Sequence, residues 1–213
     1  MTILPLTYLG SVEWFARLMQ DDCVIDIGEN YVRQTARNRC EILTAGGVAA
    51  LAVPVHGGGK IATRDVRIDH SKRWRHRHWN AIVSAYAGSP YFEHYAERFA
   101  PVFESRRFDL LVDLNLELLS VAAGILGVAE RVKISENYVV ASPGDFDLRG
   151  KKALRQRDGE TAGAIEAAGA RIPTVFSAEY IQVFADRFGF VPGLSIIDLI
   201  MCEGPAAADL LYE

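Results

Sequence analysis

The first 28 residues place an amphipathic segment between two short apolar runs, and that order limits the fold more than any other feature of the chain. Residues 2 to 5, TILP, are short and apolar. Gly10 leads into SVEWFARLMQ, where Val12, Phe15 and Met19 recur at helical spacing and Ser11 stands as an N-cap. CVIDI at 23 to 27 is an apolar, β-branched run bounded by acids. The three segments read as a β-α-β unit whose second strand ends at Gly28, with GENY at its carboxyl end.

Further along, RCEIL and VAALAVPV flank TAGG as a strand, glycine turn and strand in hairpin style. RDVRI at 64 to 68 alternates charged and apolar residues like an edge strand. The pattern then turns helical over 72 to 86, 91 to 104 and 108 to 126, the last ending at Gly127. RVKIS at 131 to 135 and RIPTVFS at 171 to 177 read as strands, Pro173 confining the second to an edge. The stretch from Tyr180 reads as a helix to about Phe188, a turn through Gly193, and a helix capped by Ser195 with Asp198 in capping-box position. The expected class is α/β, with α+β as the alternative. It comprises a strand-helix-strand opening, a small mixed sheet with a hairpin, and a helix-rich second half. One domain over 1–213 is expected, with a polar, charge-rich loop at about 142 to 160.

Half of the 213 residues are hydrophobic, enough for a full core. The net charge of −4, from 27 acidic and 23 basic residues, argues against a general nucleic-acid binder, so any basic site must be local. Cys23, Cys40 and Cys202 are odd in number, far apart and in no ligand spacing. A disulfide scaffold and a structural zinc are therefore not expected, and a reducing cytoplasm is the simplest home. No basic leader and no apolar stretch of about 18 residues is visible, so no membrane span is expected.

DHSKRWRHRHW, from residue 69, concentrates cations and histidines. On a helix, Trp74, His78, Trp79, Ile82, Val83, Ala85 and Tyr86 share one half, while Arg73, His76, Arg77, Asn80 and Ser84 share the other. His76 and His78, two residues apart, diverge, which argues against a zinc pair. His78 is then either a core residue bonded to a backbone carbonyl or a pocket group. Lys72, Arg73, Arg75 and Arg77 oppose the dipole at the helix start, a conflict that solvent tolerates and a phosphate would relieve. In YVRQTARNRCEIL, an extended backbone would project Arg37 and Arg39 together with Asn38 opposite, either as an anion clamp or as a solvent-facing strand edge paired with Glu29 or Glu41. The glycine strings AGG and HGGG have neither Walker nor dinucleotide-binding spacing and read as turns.

The segments LPLTYLGSVEWFARL, DDCVIDIGENYVRQTARNRCEIL, LAVPV, RDVRI, WRHRHWNAIVSAYAGSPYFEHY and YIQVFADRFGFVPGLSIIDLIMCEGPAA occur in the order of the WbqC-like family, which the chain resembles over nearly its whole length. Tyr8, Gly10, Asp26, Asn30, Arg37, Asn38, Arg39, Pro54, Trp74, His78, Tyr86, Pro90, Phe92, Ser195, Asp198 and Gly204 match the family pattern. The chain departs from it at Leu4-Pro5-Leu6, where a Gln-Pro-aromatic opening is usual, and in a shortened stretch from about 142 to 170. The resemblance implies a cytoplasmic transferase of bacterial surface-polysaccharide (O-antigen) biosynthesis, transferring an aminoacyl or acyl group to a nucleotide-linked sugar. His78 and Asp26 would be its catalytic residues, and Asn30, Arg37, Asn38, Arg39, Trp74, Arg75 and Tyr86 would meet an anionic small molecule. No metal and no cofactor are expected. The alternative is a non-catalytic binding or assembly protein that docks a partner through Trp74, Trp79 and Tyr86.

Overall fold

A computed structural model describes residues 1–56, 60–105, 107–150, 165–167, 170–172 and 176–212. The glycine run at 57–59, the end of the polar loop beyond 150 and part of RIPTVFS lie outside the described residues. The opening is the expected unit: β1 (Thr2–Pro5), α1 (Val12–Gln20) and β2 (Cys23–Asp26). The hairpin follows as β3 (Arg39–Thr44) and β4 (Gly47–Ala52). Then come α2 (Trp74–Tyr86), α3 (Phe92–Glu104) and α4 (Leu111–Leu126), ended by Gly127 at φ 70°. Two short strands, β5 (Ile134–Ser135) and β6 (Phe146–Asp147), and a small hairpin, β7 (Ile165–Ala167) and β8 (Ala170–Ile172), lead to α5 (Ala185–Phe188), α6 (Ile196–Glu203) and α7 (Ala207–Leu210).

β5, β2, β1 and β6 pair in that order, all parallel, while β3 and β4 form a separate antiparallel sheet. The class is α/β. RDVRI differs from its expected edge strand: Thr63–Asp65 is a 3-10 turn, and only single bridges, Val55 to Ile68 and Arg67 to Leu110, follow. The turn wins because β2's extension claims its backbone, with Thr63 N donating to Glu29 O and Arg64 N to Ile27 O. The helix expected to run to Phe188 is confined to one turn at Ala185–Phe188, ended by Gly189 at φ 65°.

The core lies where α1, α4 and α6 meet the parallel strands. Trp14, Phe15, Leu18 and Met19 from α1, Leu114 and Leu118 from α4, and Ile196, Ile197 and Ile200 from α6 are all buried. The turn between β1 and α1 is held by the start of α6. Ser195 Oγ donates to Leu9 O at 2.9 Å, Ile196 N donates to Gly10 O, and Val12 N donates to Leu194 O. These bonds hold Leu9 at φ 46°, a left-handed conformation that side chains disfavour. The Ser195 hydroxyl also accepts from Ile197 N at 3.4 Å as the N-cap of α6. Asp198 leaves the capping-box position: its carboxylate turns inward to accept from Tyr180 Oη at 2.7 Å and Gln182 Nε2 at 3.0 Å.

Replacing Ser195 by Ala removes the cap and leaves the Leu9 carbonyl buried without its donor, at a cost of about 2 kcal/mol. Urea unfolding should show a lower midpoint at unchanged slope; an unchanged midpoint would show that the hydroxyl does not hold this turn.

Candidate functional site

In the order β5-β2-β1-β6 the chain adds strands on one side of β1 and then returns to its other flank with β6. Such reversals in parallel sheets open toward the carboxyl ends of the strands, where ligands of α/β proteins bind. Two strands end there in an acid, Asp26 closing β2 and Asp147 closing β6.

Asp26 is completely buried. Its Oδ1 accepts from Gly28 N at 2.8 Å, and its Oδ2 accepts from Val139 N at 3.0 Å and from Arg149 Nη1. The Val139 contact needs the chain at 136–138 to cross directly over Gly28. A Cβ at Gly28 would stand 2.5 Å from Tyr138 N, so only glycine fits. Arg149 also forks onto Asp147, Nε to Oδ1 at 2.8 Å and Nη2 to Oδ2 at 2.6 Å. Its guanidinium carbon lies 4.4 Å from the ring centre of Tyr138, which is 56% exposed. Asp147 is pulled below the usual carboxylate range, chiefly by its hydrogen bond from Arg149, and Arg149 is held still higher than usual, chiefly by Asp147.

A second buried pair adjoins the first. Arg37 Nε donates to Glu29 Oε1 at 2.8 Å and Nη2 to Oε2. Nη2 also reaches Arg149 O at 2.8 Å, and Nη1 reaches Thr35 Oγ1 at 3.1 Å. Four of the five guanidinium donors are thus used within the protein. Burial raises the Glu29 carboxyl against the lowering effect of Arg37. From α4, Asn115 Nδ2 donates to Arg37 O at 2.7 Å. Asp26, Glu29 and Asp147 outnumber Arg37 and Arg149 by one, so this cluster holds no surplus positive charge for a phosphate.

Arg37 and Arg39 do not converge. The alternation argument assumed an extended backbone, but β3 begins only at Arg39, and Arg37 lies in the preceding turn with its side chain directed inward. Arg39 is 37% exposed in its side chain and 3.7 Å from Glu41. The two arginines therefore take the acidic partners Glu29 and Glu41. Asn38 Nδ2 donates to Val53 O at 2.9 Å, while its Oδ1 is buried without a donor. Asn30 is exposed at the rim, bridged to Ala62.

On α2 the apolar half is buried at Trp74, His78, Ile82, Ala85 and Tyr86 but only half-buried at Trp79 and Val83, and His76 is exposed. His78 Nδ1 is 2.8 Å from Tyr8 Oη, and the ring also bonds the Ala52 carbonyl. With one ring nitrogen donating to that carbonyl, Nδ1 accepts the Tyr8 hydroxyl proton. Burial depresses the imidazole pKa to about 4, so it is neutral at pH 7. Arg75 donates to His70 Nδ1 at 3.0 Å and sits 5.6 Å from the Trp74 ring centre. Trp74 and Tyr86 are 2% and 0% exposed, and Trp79 stacks on Phe92 and Phe103. The docking alternative therefore loses its anchors to the core.

The N-terminal amides of α1, where a β-α-β unit would bind phosphate, are also engaged. Ser11 Oγ accepts from Trp14 N, and Leu194 O accepts from Val12 N. Asp147, Arg149 and Asn115 had not been singled out from sequence, and Glu29 entered only as an alternative partner of the arginines. Asp147 and Arg149, two apart across a strand end, carried the one readable signal, since such residues project to the same side. Among the described residues no group of three or more His, Cys, Asp or Glu could hold a metal, and no helix is long and apolar enough to cross a membrane.

Two outcomes follow from this geometry. Arg37→Met should cost about 3–5 kcal/mol by stranding Glu29, and Glu29→Gln added to it should restore part of the loss; a cost below about 1 kcal/mol in urea unfolding would contradict the pairing. His78 titrates at about 4 folded against 6.5 in an unperturbed imidazole. Above pH 6.5 both states are neutral; between 6.5 and 4 only the unfolded chain binds the proton, so stability falls as the pH drops, by about 3 kcal/mol in all. Unfolding free energies measured from pH 7 to 4.5 should fall less steeply in His78→Gln than in the parent, and identical profiles would place the imidazole in water.

The model of the WbqC-like protein family matches residues 7–162. The chain is also similar to the uncharacterized protein Rv1507c of Mycobacterium tuberculosis, 26% identical over 204 residues that cover 90% of this chain and 87% of that protein. No solved structure matches it. The family match spans α1, β2, the hairpin, the three central helices and the buried ion pairs, and on this basis the chain belongs to the WbqC-like protein family.

Proposed function

We propose that the chain is a cytoplasmic transferase of bacterial surface-polysaccharide biosynthesis that moves an aminoacyl or acyl group onto a nucleotide-linked sugar. Family membership supports the context. The observation that carries the site is the concentration of five charged side chains, four of them buried, at the carboxyl rim of a parallel sheet where its strand order reverses. An investment of charge at that position is what a preorganised ligand site requires.

In this reading the expected residues divide. Asp26, Arg37 and His78 are positioning groups: Asp26 fixes Arg149, Arg37 fixes the turn before β3, and His78 holds Tyr8. Trp74 and Tyr86 support α2 from within, and Arg75 orients His70. Substrate contact falls to the groups at the surface, namely Asn30, Arg39 and the open face of the Tyr138 ring, while Asn38, its Oδ1 buried, is a positioning group through its bond to Val53 O. Arg64, exposed where its Nη1 donates to Glu136 O at 2.6 Å, adds a cation beside the end of β2.

Thermal-shift measurements with UDP- and CDP-linked sugars test this directly. Ligand at 100 times its dissociation constant adds about 2.7 kcal/mol of stability. That stabilisation should weaken at least tenfold in concentration dependence in Arg39→Ala and Asn30→Ala, whose own unfolding midpoints stay near the parent's. Absence of a shift with any nucleotide sugar at millimolar concentration would overturn the reading.

A further inference from the structure

β4 is a six-residue strand, GVAALA, with no charged residue and no proline, paired on one side only. Three contacts fix which of its backbone groups face outward. Val53 N donates to Asn38 O across the hairpin, Ser195 N donates to Glu41 O from outside β3, and the Ala52 carbonyl meets His78. Hydrogen-bonded and open positions alternate along an antiparallel pair. Leu51, Ala49 and Gly47 therefore bond to β3, while Val48, Ala50 and Ala52 direct their N–H and C=O groups away from it. Ala52 and Ala50 are exposed, Val48 is half-buried, and among the described residues nothing bonds the outer groups of Val48 or Ala50.

A bare apolar edge of this length is one that proteins otherwise blunt with lysine, proline or a bulge. The edges of the parallel sheet, β5 and β6, are two residues each and offer no comparable row. We infer that β4 is the pairing edge of a two-fold dimer, a second copy of this chain adding its own β4 antiparallel to the first. The strand is self-complementary in one register: with Val48 facing Ala50 of the second copy, four hydrogen bonds use every outward group of both residues, and the Ala52 carbonyl stays with His78. Each copy carries the same unpaired row, so one contact closes both. Charge permits it, because β4 brings none and the nearest acid on that face, Glu41, stands a strand behind on each side. The inference is independent of the transferase reading.

Light scattering coupled to size-exclusion chromatography of the full chain, from 1 to 100 µM, should give about 47 kDa, twice the chain's 23.5 kDa. In Val48→Lys/Ala50→Lys four lysines meet at the seam, so this variant should run as the monomer. Val48→Lys/Ala50→Glu, in which each lysine faces a glutamate of the other copy, should remain dimeric. Hydrogen exchange at Val48 and Ala50 amides should be slow in the parent and at least a hundredfold faster in the lysine pair, with circular dichroism unchanged in both. A monomeric parent across this range, or two doubly substituted proteins with the same mass, would overturn the inference. A monomer whose Val48 and Ala50 amides are nonetheless protected would assign the edge to another segment and overturn it equally.

Discussion

Asp26 ends β2 with no water to receive its charge, and the carboxyl rim of the sheet is arranged around that fact. A fully buried carboxylate demands donors in fixed places, and here they come from two backbone amides and one guanidinium reached across 123 residues of sequence. Meeting that demand forces the 136–138 crossing over Gly28, which in turn aligns β6 beside β1 and presents Asp147 as the second acid for Arg149. The Arg149 carbonyl then fixes Arg37, and the Arg37 carbonyl fixes Asn115 on α4. One chain of hydrogen bonds thus ties the parallel sheet to the turn before the hairpin and to the helical half.

The same arrangement decides what the site is able to do. Guanidinium groups that read as phosphate clamps in a linear sequence are spent on carboxylates, and the α1 amides are spent on Ser11 and Leu194. The rim is therefore rigid and nearly neutral within, and in the proposed reading recognition passes to its exposed groups: Asn30, Arg39, Arg64 and the Tyr138 ring. Tyr8 and His78 extend the rigidity toward β4 through a neutral pair whose proton positions burial fixes. A site of this kind discriminates by shape and by a few surface contacts rather than by a pool of positive charge.

Local signals in the sequence identified what local physics decides. The β-α-β opening, the hairpin about TAGG, the apolar face of α2 and the Ser11 and Ser195 caps all follow from periodicity and capping chemistry, and each lies within three residues of its expected bounds. The Asp26–Arg149 pair did not follow, because the two residues share no sequence neighbourhood and Arg149 sits in a stretch whose polarity reads as a solvated loop. Arg37 was misdirected by one step: the strand starts two residues later than the alternation assumed, and a residue in a turn obeys no alternation. Trp74 and Tyr86 looked like docking anchors because sequence shows a helix face without showing that the hairpin and α6 cover it.

A double-mutant cycle on Asp26→Asn and Arg149→Met, read by urea unfolding, tests the organising role of the buried pair most directly. The account predicts that each single change costs several kcal/mol and that the double change costs less than their sum by about 2–3 kcal/mol, because either alone strands the other's charge. Additive costs, with a coupling below about 0.5 kcal/mol, would show that the two charges are held independently and would contradict it.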